Sequence, residues 1–122
     1  MSTVLIVNHD NLIRDYLHAL FERGSGFDAF ADARNSVEAV DMATRLLPNL
    51  VVLDFALPRI NGIQLARRLM NIIPQLPIFM LTEDYNASSE KEALLCGITA
   101  VFSKLDDLTP VIANARAVCG IR

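Results

Sequence analysis

Residues 50–54 read Leu-Val-Val-Leu-Asp, an uninterrupted aliphatic segment that ends on a carboxylate. Aliphatic residues in direct succession are typical of a strand that is covered on both faces, as in a parallel sheet with helices on each side. A half-exposed antiparallel strand would alternate apolar and polar residues instead. The segment therefore predicts a buried strand of a parallel α/β sheet, with Asp54 directly at its carboxyl end.

Short apolar segments and longer segments of helical period alternate along the whole chain. The predicted strands are 3–7, 27–31, 50–53, 78–81 and 99–102, and the predicted helices are 12–23, 36–46, 62–72, 88–96 and 108–118. Leu12, Tyr16 and Leu17 are among the residues predicted to dock the first helix on the sheet. Right-handed crossovers then give a doubly wound, five-stranded parallel sheet.

Length and composition limit the class of protein. A chain of 122 residues with 52% hydrophobic and 20% charged residues predicts one globular domain rather than a disordered segment. The net charge of -3 does not favour direct binding of nucleic acid by this segment. Neither a signal peptide nor a stretch long enough to span a membrane is recognisable, so the sequence predicts a cytoplasmic protein.

Polar side chains follow four of the five predicted strands. They are Asn8, His9 and Asp10 after the first strand, Asp54 after the third, Thr82 after the fourth, and Ser103 and Lys104 after the fifth. Ligands of open α/β sheets bind at this carboxyl edge. A carboxylate acceptor at Asp54, a hydroxyl donor at Thr82 and a balancing cation at Lys104 suit phosphoryl chemistry. Separate structural roles, such as a turn cap at Asp54 or a solvated Lys104, are the alternative.

Two motifs resemble those of response regulator receiver domains. Val51-Val52-Leu53-Asp54-Phe55-Ala56-Leu57-Pro58, followed by Asn61-Gly62, is similar to the phosphoacceptor segment of that family, and Met80-Leu81-Thr82, Gly97 and Lys104 keep its spacing. The resemblance covers residues 1–122 as one receiver-like domain and implies a flavodoxin-like fold. It also implies a role in two-component signalling rather than enzyme activity. A histidine kinase or phosphotransfer protein would phosphorylate Asp54, and Thr82 and Lys104 would contact the phosphoryl group.

The first strand departs from the family pattern. Receivers place two adjacent acidic residues there to hold Mg²⁺, whereas this chain has Asn8 and His9. Mg²⁺ prefers oxygen ligands, and imidazole suits zinc, copper or nickel. The remaining candidates for a magnesium site are Asp54, the backbone of Ala56 and, weakly, Asp10, which is more simply explained as a helix cap. We therefore expect weak or absent binding of Mg²⁺ and a direct ion pair between Asp54 and Lys104.

Two further departures affect the acceptor and its readout. Val101 occupies the position at which the family has a rotating aromatic side chain, and Glu83 replaces a small residue after Thr82. The size and charge of Glu83 would disfavour an incoming phosphoryl donor. The favoured function is an atypical receiver that is phosphorylated on Asp54, and the alternative is an interaction module that works without phosphate. A cofactor-binding or redox protein is disfavoured, because no glycine-rich loop follows the first strand.

A homodimer or docking interface is predicted on the fourth helix, fifth strand and fifth helix. Its apolar residues would be Leu94, Leu95, Val101, Val111, Ala115 and Val118, with Glu90, Lys91, Glu92 and Arg116 as a charged rim. Periodicity does not decide which side of an amphipathic helix meets the sheet. The hydrophobic core is therefore the alternative location for these aliphatic residues.

Overall fold

The computed structural model describes residues 2–24 and 26–121. Over these residues, strands and helices alternate without exception. The strands are β1 (Thr3–Val7), β2 (Ala29–Ala33), β3 (Leu50–Asp54), β4 (Ile78–Thr82) and β5 (Ala100–Ser103). The helices are α1 (Asn11–Gly24), α2 (Ser36–Leu46), α3 (Gly62–Ile72), α4 (Ala87–Leu95) and α5 (Thr109–Val118). None of these helices is long and apolar enough to cross a bilayer.

The strands form one parallel sheet in the order β2-β1-β3-β4-β5. The chain moves outward from β1 to β2 and then returns to the other side of β1, so the strand order reverses between β1 and β3. In open α/β sheets, ligands bind outside the carboxyl ends of the strands at this reversal. The predicted doubly wound fold is confirmed, and it places the ends of β1 and β3 next to each other.

Helices cover both faces of the sheet. One core cluster joins α1 and α5 to the sheet through Leu17, Phe21, Val111 and Ala115. The other joins α2, α3 and α4 to the opposite face through Ala39, Ala43, Leu65, Leu69 and Ala93. Every residue of β3 and β4 is buried as a result, which confirms the interpretation of the aliphatic segment at 50–53.

The prediction for β2 was displaced toward the N-terminus. The strand runs from Ala29 to Ala33, because Phe27 packs in the core before the strand begins, edge to face with Phe21 at a centroid distance of 5.6 Å. Asp32 lies within the strand, where His18 Nδ1 is 2.9 Å from Oδ2 of its carboxylate. A charged residue is tolerated there because β2 is an edge strand.

The predicted docking face of α1 was partly wrong. Leu12 and Tyr16 are 80% and 48% exposed, whereas Leu17 and Phe21 are fully buried and Ile13 packs beside them. Residues 13, 17 and 21 recur every four positions and form the stripe that meets the sheet. The prediction was rotated by about one residue because it did not include Phe21.

Candidate functional site

The carboxyl ends of β3, β4 and β5 bring three of the predicted site residues together. Asp54 ends β3, Thr82 ends β4, and Lys104 follows β5 directly. Asp54 and Thr82 are only 3% and 6% exposed. The backbone N–H of Lys104 donates to the carbonyl of Thr82 at 2.9 Å, which holds the loop after β5 against the end of β4.

Asp54 and Lys104 form the expected ion pair. Lys104 Nζ donates to Asp54 Oδ2 at 2.9 Å, and the two side chains are 8% and 4% exposed, respectively. The attraction between such buried charges is offset by the loss of hydration, so the pair is not strongly stabilising in itself. Removing one partner, however, leaves the other charge buried without compensation.

The loop between β3 and α3 holds Asp54 from the other side. The N–H of Phe55 donates to the carbonyl of Leu81 at 2.8 Å, and the N–H of Gly62 donates to the carbonyl of Phe55 at the same distance. The N–H of Ala56 reaches Asp54 Oδ1 only at 3.4 Å. Oδ1 is thus the less strongly engaged oxygen of the carboxylate.

Close packing at Gly62 fixes this loop. A Cβ atom at position 62 would lie 2.7 Å from the carbonyl oxygen of Asp54 and 2.8 Å from Cα of Phe55. Asn61 caps α3, since its side chain accepts the N–H of Gln64 while the Gln64 side chain accepts the N–H of Asn61. The helix can therefore begin directly against the strand end that carries Asp54.

Thr82 and Glu83 lie on the β4 side of Asp54. Oγ1 of Thr82 accepts the N–H of Asp84 at 3.2 Å, which leaves the hydroxyl hydrogen of Thr82 to be donated. The side chain of Glu83 is 70% exposed, and Oε1 lies 3.9 Å from Lys104 Nζ. Glu83 is thus outside the buried pair, at the mouth of the site.

Asn8, His9 and Asp10 separate after β1. Asn8 is fully buried, and its Oδ1 accepts the N–H of Asp10 at 2.9 Å. His9 is exposed. Asp10 Oδ1 accepts the N–H of Leu12 at 2.8 Å, which is the geometry expected of a residue that caps α1.

Asn8 Nδ2 is the buried side-chain polar atom that has no hydrogen-bond partner among residues 2–24 and 26–121. Sequence reasoning identified this position as a lost carboxylate but did not identify the unused donor. Its orientation depends on the turn in which Oδ1 accepts the N–H of Asp10. Asn favours this contact with the residue two positions on, but the preference does not reveal that Nδ2 is left unused.

The family model of the response regulator receiver domain matches residues 4–114. The chain belongs to this family. The relatives include a candidate transcriptional regulator of Pseudomonas aeruginosa, 33% identical over 118 residues that cover 97% of this chain and 56% of the relative. Response regulator MprA of a Mycobacterium species is 30% identical over 117 residues, which cover 94% of this chain and 49% of that protein. The receiver chain thus spans about half the length of these curated relatives.

The receiver fold is also evident from solved structures. The Francisella response regulator 1452 receiver domain superposes with a TM-score of 0.89, covers 98% of each chain and is 21% identical. A likeness at this identity shows the fold alone. The predicted flavodoxin-like receiver architecture is confirmed by it.

The donor set of this receiver is poorly matched to a divalent cation. Within the described residues, no group of three His, Cys, Asp or Glu side chains is placed to hold a metal ion. Asn8 Oδ1 already accepts the N–H of Asp10, and Asp54 Oδ2 already accepts from Lys104. Mg²⁺ needs several oxygen ligands in an octahedral arrangement.

The face of α4, β5 and α5 differs from its prediction. Val111 and Ala115 are fully buried and Val101 is 8% exposed, because the apolar stripe of α5 faces the sheet and Val101 joins the core beside α4. Val111 and Ala115 therefore lie in the core, the alternative location, and cannot be interface contacts, whereas Val101 reaches the surface only as part of a cavity wall. Leu94 and Leu95 stay exposed, at 45% and 78%.

Val101 replaces the rotating aromatic residue of the family, but another aromatic residue lies close to it. Tyr85, from the loop before α4, lines a surface cavity of about 480 Å³ together with Val101. The Tyr85 hydroxyl donates to Glu90, and this hydrogen bond raises the pKa of Tyr85. Phe102 points away from the position of Val101 and packs on Phe79 at a centroid distance of 5.3 Å.

Proposed function

We propose that this receiver domain accepts a phosphoryl group on Asp54, from a histidine kinase or a phosphotransfer protein, with an impaired requirement for Mg²⁺. The observation that carries the proposal is a buried carboxylate that receives Lys104 Nζ at 2.9 Å at the carboxyl edge of the sheet. Such a cation balances charge that develops on a transferred phosphoryl group. The same intact pair favours phosphorylation over an interaction module that works without it.

Phosphoryl transfer to Asp54 requires few protein groups. An oxygen of Asp54 attacks phosphorus, and the new O–P bond forms while the bond from phosphorus to the donor histidine nitrogen breaks and its electron pair stays on that nitrogen. Lys104 and the hydroxyl of Thr82 donate to the phosphoryl oxygens. Glu83, at the mouth of the site, repels the incoming dianion and slows the transfer.

Acetyl phosphate tests this proposal. Wild-type protein should gain the mass of one phosphoryl group, and Asp54→Asn should gain none, because the amide is not a nucleophile for this step. Intact-protein mass spectrometry measures both. Asp84→Asn is the control, since Asp84 is an exposed acid near Thr82 and its loss should leave the adduct unchanged. An adduct of equal size on Asp54→Asn would contradict the proposal.

The role of the segment is proposed to be signalling rather than enzymatic, since the site holds an acceptor carboxylate. We do not propose contact with nucleic acid by these residues, because a net charge of -3 does not favour binding to phosphates. We propose a cytoplasmic location, because the histidine kinase at the start of such a transfer draws on ATP in that compartment.

Self-association through the remaining exposed part of the α4-β5-α5 face is also proposed. Leu95 is 78% exposed on α4, and burying such a side chain contributes about 1.5–3 kcal/mol. Leu95→Glu should therefore weaken a dimer by about tenfold or more in sedimentation equilibrium. Val37→Glu, at an exposed position near the start of α2, should not change it. A wild-type chain that is monomeric at every accessible concentration would refute this interface.

A further inference from the structure

The side-chain amide of Asn8 carries a buried hydrogen-bond donor that is unused within the described residues. The residue is fully buried, yet Nδ2 makes no hydrogen bond within the described residues. The amide cannot simply be reversed, because Oδ1 accepts the N–H of Asp10 at 2.9 Å and a reversed amide would oppose two donors. Buried donors without partners are rare in native proteins, since the cost of removing them from water is not recovered.

The topology places this donor beside the acceptor. Val7 of β1 is paired with Leu53 of β3, so the next residues, Asn8 and Asp54, leave neighbouring parallel strands side by side. In paired parallel strands such residues project to the same face of the sheet. This is also the point at which the strand order reverses. The amide of Asn8 thus belongs to the same site as the carboxylate of Asp54.

The chemistry of the free groups favours an anion over a cation. Three donors lie on residues at this edge of the sheet: the second N–H of the Asn8 amide, which has no partner within the described residues, the hydroxyl hydrogen of Thr82, and the ammonium of Lys104, which already donates to Asp54. All three side chains are largely withheld from water. Donors in such a setting bind oxyanions strongly and repel metal ions.

We propose that Asn8 donates a hydrogen bond to a phosphoryl oxygen on Asp54, so that Asn8, Thr82 and Lys104 hold the tetrahedral anion without Mg²⁺. This inference rests on the proposed function of Asp54. It adds that the neutral amide of Asn8 takes the role that Mg²⁺ would have at the site. Transfer from acetyl phosphate is then balanced without a metal. The Asp54 O–P bond forms, the bond from phosphorus to the acetyl oxygen breaks, and acetate leaves with the electron pair.

Labelling with and without metal is the first test. Wild-type protein should gain the phosphoryl mass in EDTA at a rate within about twofold of its rate in Mg²⁺, since no step uses the ion. The double variant Asn8→Asp/His9→Asp restores two carboxylates. It should react at least about tenfold more slowly in EDTA than in Mg²⁺. A wild-type chain that is labelled in Mg²⁺ and not in EDTA overturns the inference and leaves the phosphoacceptor role intact.

Phosphate binding is the second test and does not depend on labelling. Asp54→Ala removes the acceptor carboxylate and keeps the three donors, and the charge of Lys104 then has no carboxylate to balance it. Inorganic phosphate in EDTA should therefore bind and shift the side-chain amide resonances of Asn8 in NMR spectra. Adding Asn8→Asp to this variant should weaken phosphate binding by about tenfold or more, because a carboxylate replaces the donor. Binding without either effect overturns the role of Asn8. If the Asp54→Ala variants show both effects while the wild-type chain is never labelled, the donor set is supported and phosphorylation of Asp54 is refuted.

Discussion

Gly62→Ala should lower the free energy of unfolding by about 3 kcal/mol, at the upper end for an overpacked site. The added Cβ would lie 2.7 Å from the Asp54 carbonyl oxygen, 2.8 Å from Phe55 Cα and 2.9 Å from Leu53 Cδ1. Two of these atoms belong to the backbone of a buried strand end and of the loop that follows it, so they cannot rotate away. Urea unfolding measures the change.

The same substitution should impair the site. Relief of the contact requires α3 to move away from the end of β3, which shifts the loop that positions the Asp54 carboxylate. Gly24→Ala is the matched control, because the added Cβ would meet nothing within 4 Å outside its chain neighbours and its own helix backbone, and the residue ends α1. It should be neutral or stabilising by up to about 1 kcal/mol. Equal losses of stability in the two variants would contradict the role assigned to Gly62.

Lys104→Met should lower the free energy of unfolding about as much as Gly62→Ala does. It leaves the Asp54 carboxylate buried at 4% side-chain exposure without its 2.9 Å partner, and breaking a buried pair in this way costs about 3–5 kcal/mol. The rate of phosphoryl incorporation should also fall by about a hundredfold, since the cation that balances the transferred group is lost. Urea unfolding and intact-protein mass spectrometry report the two effects.

Two further variants test whether the effect of Lys104→Met comes from loss of the ion pair with Asp54. Lys91→Met, at an exposed position of α4, should change stability by no more than about 0.5 kcal/mol. Asp54→Asn/Lys104→Met removes both charges and should recover most of the stability that Lys104→Met loses. A double variant no more stable than the single one would show that Lys104 acts through packing instead of through Asp54.

The sheet was predictable because its strands depend on local composition. The aliphatic segment at 50–53 has no alternative to burial on both faces, and Asp54, Thr82 and Lys104 each follow a strand whose position was clear. Parallel strands then bring their ends to one edge, whatever the details of packing. For this reason the three residues meet where the sequence placed them.

Features that depend on packing between elements were less predictable. The apolar content of Val111 and Ala115 suited the core and an interface equally, and only the docking of α5 decides between them. Phe27 has the β propensity of a strand residue but packs against Phe21 ahead of β2. The unused amide of Asn8 arises from a single turn contact with Asp10, which no periodicity encodes.

Locating the adduct in the sequence shows whether Asp54 carries the phosphoryl group. Protein treated with acetyl phosphate in EDTA is reduced with borohydride, which converts an aspartyl phosphate to homoserine, and the digested peptides are sequenced by mass spectrometry. We expect homoserine at position 54 and no reduced side chain at any other acidic residue. Homoserine at Asp84, 5-hydroxynorvaline (the reduction product of a glutamyl phosphate) at Glu83, or unmodified Asp54 in a chain that gained the phosphoryl mass would contradict this assignment.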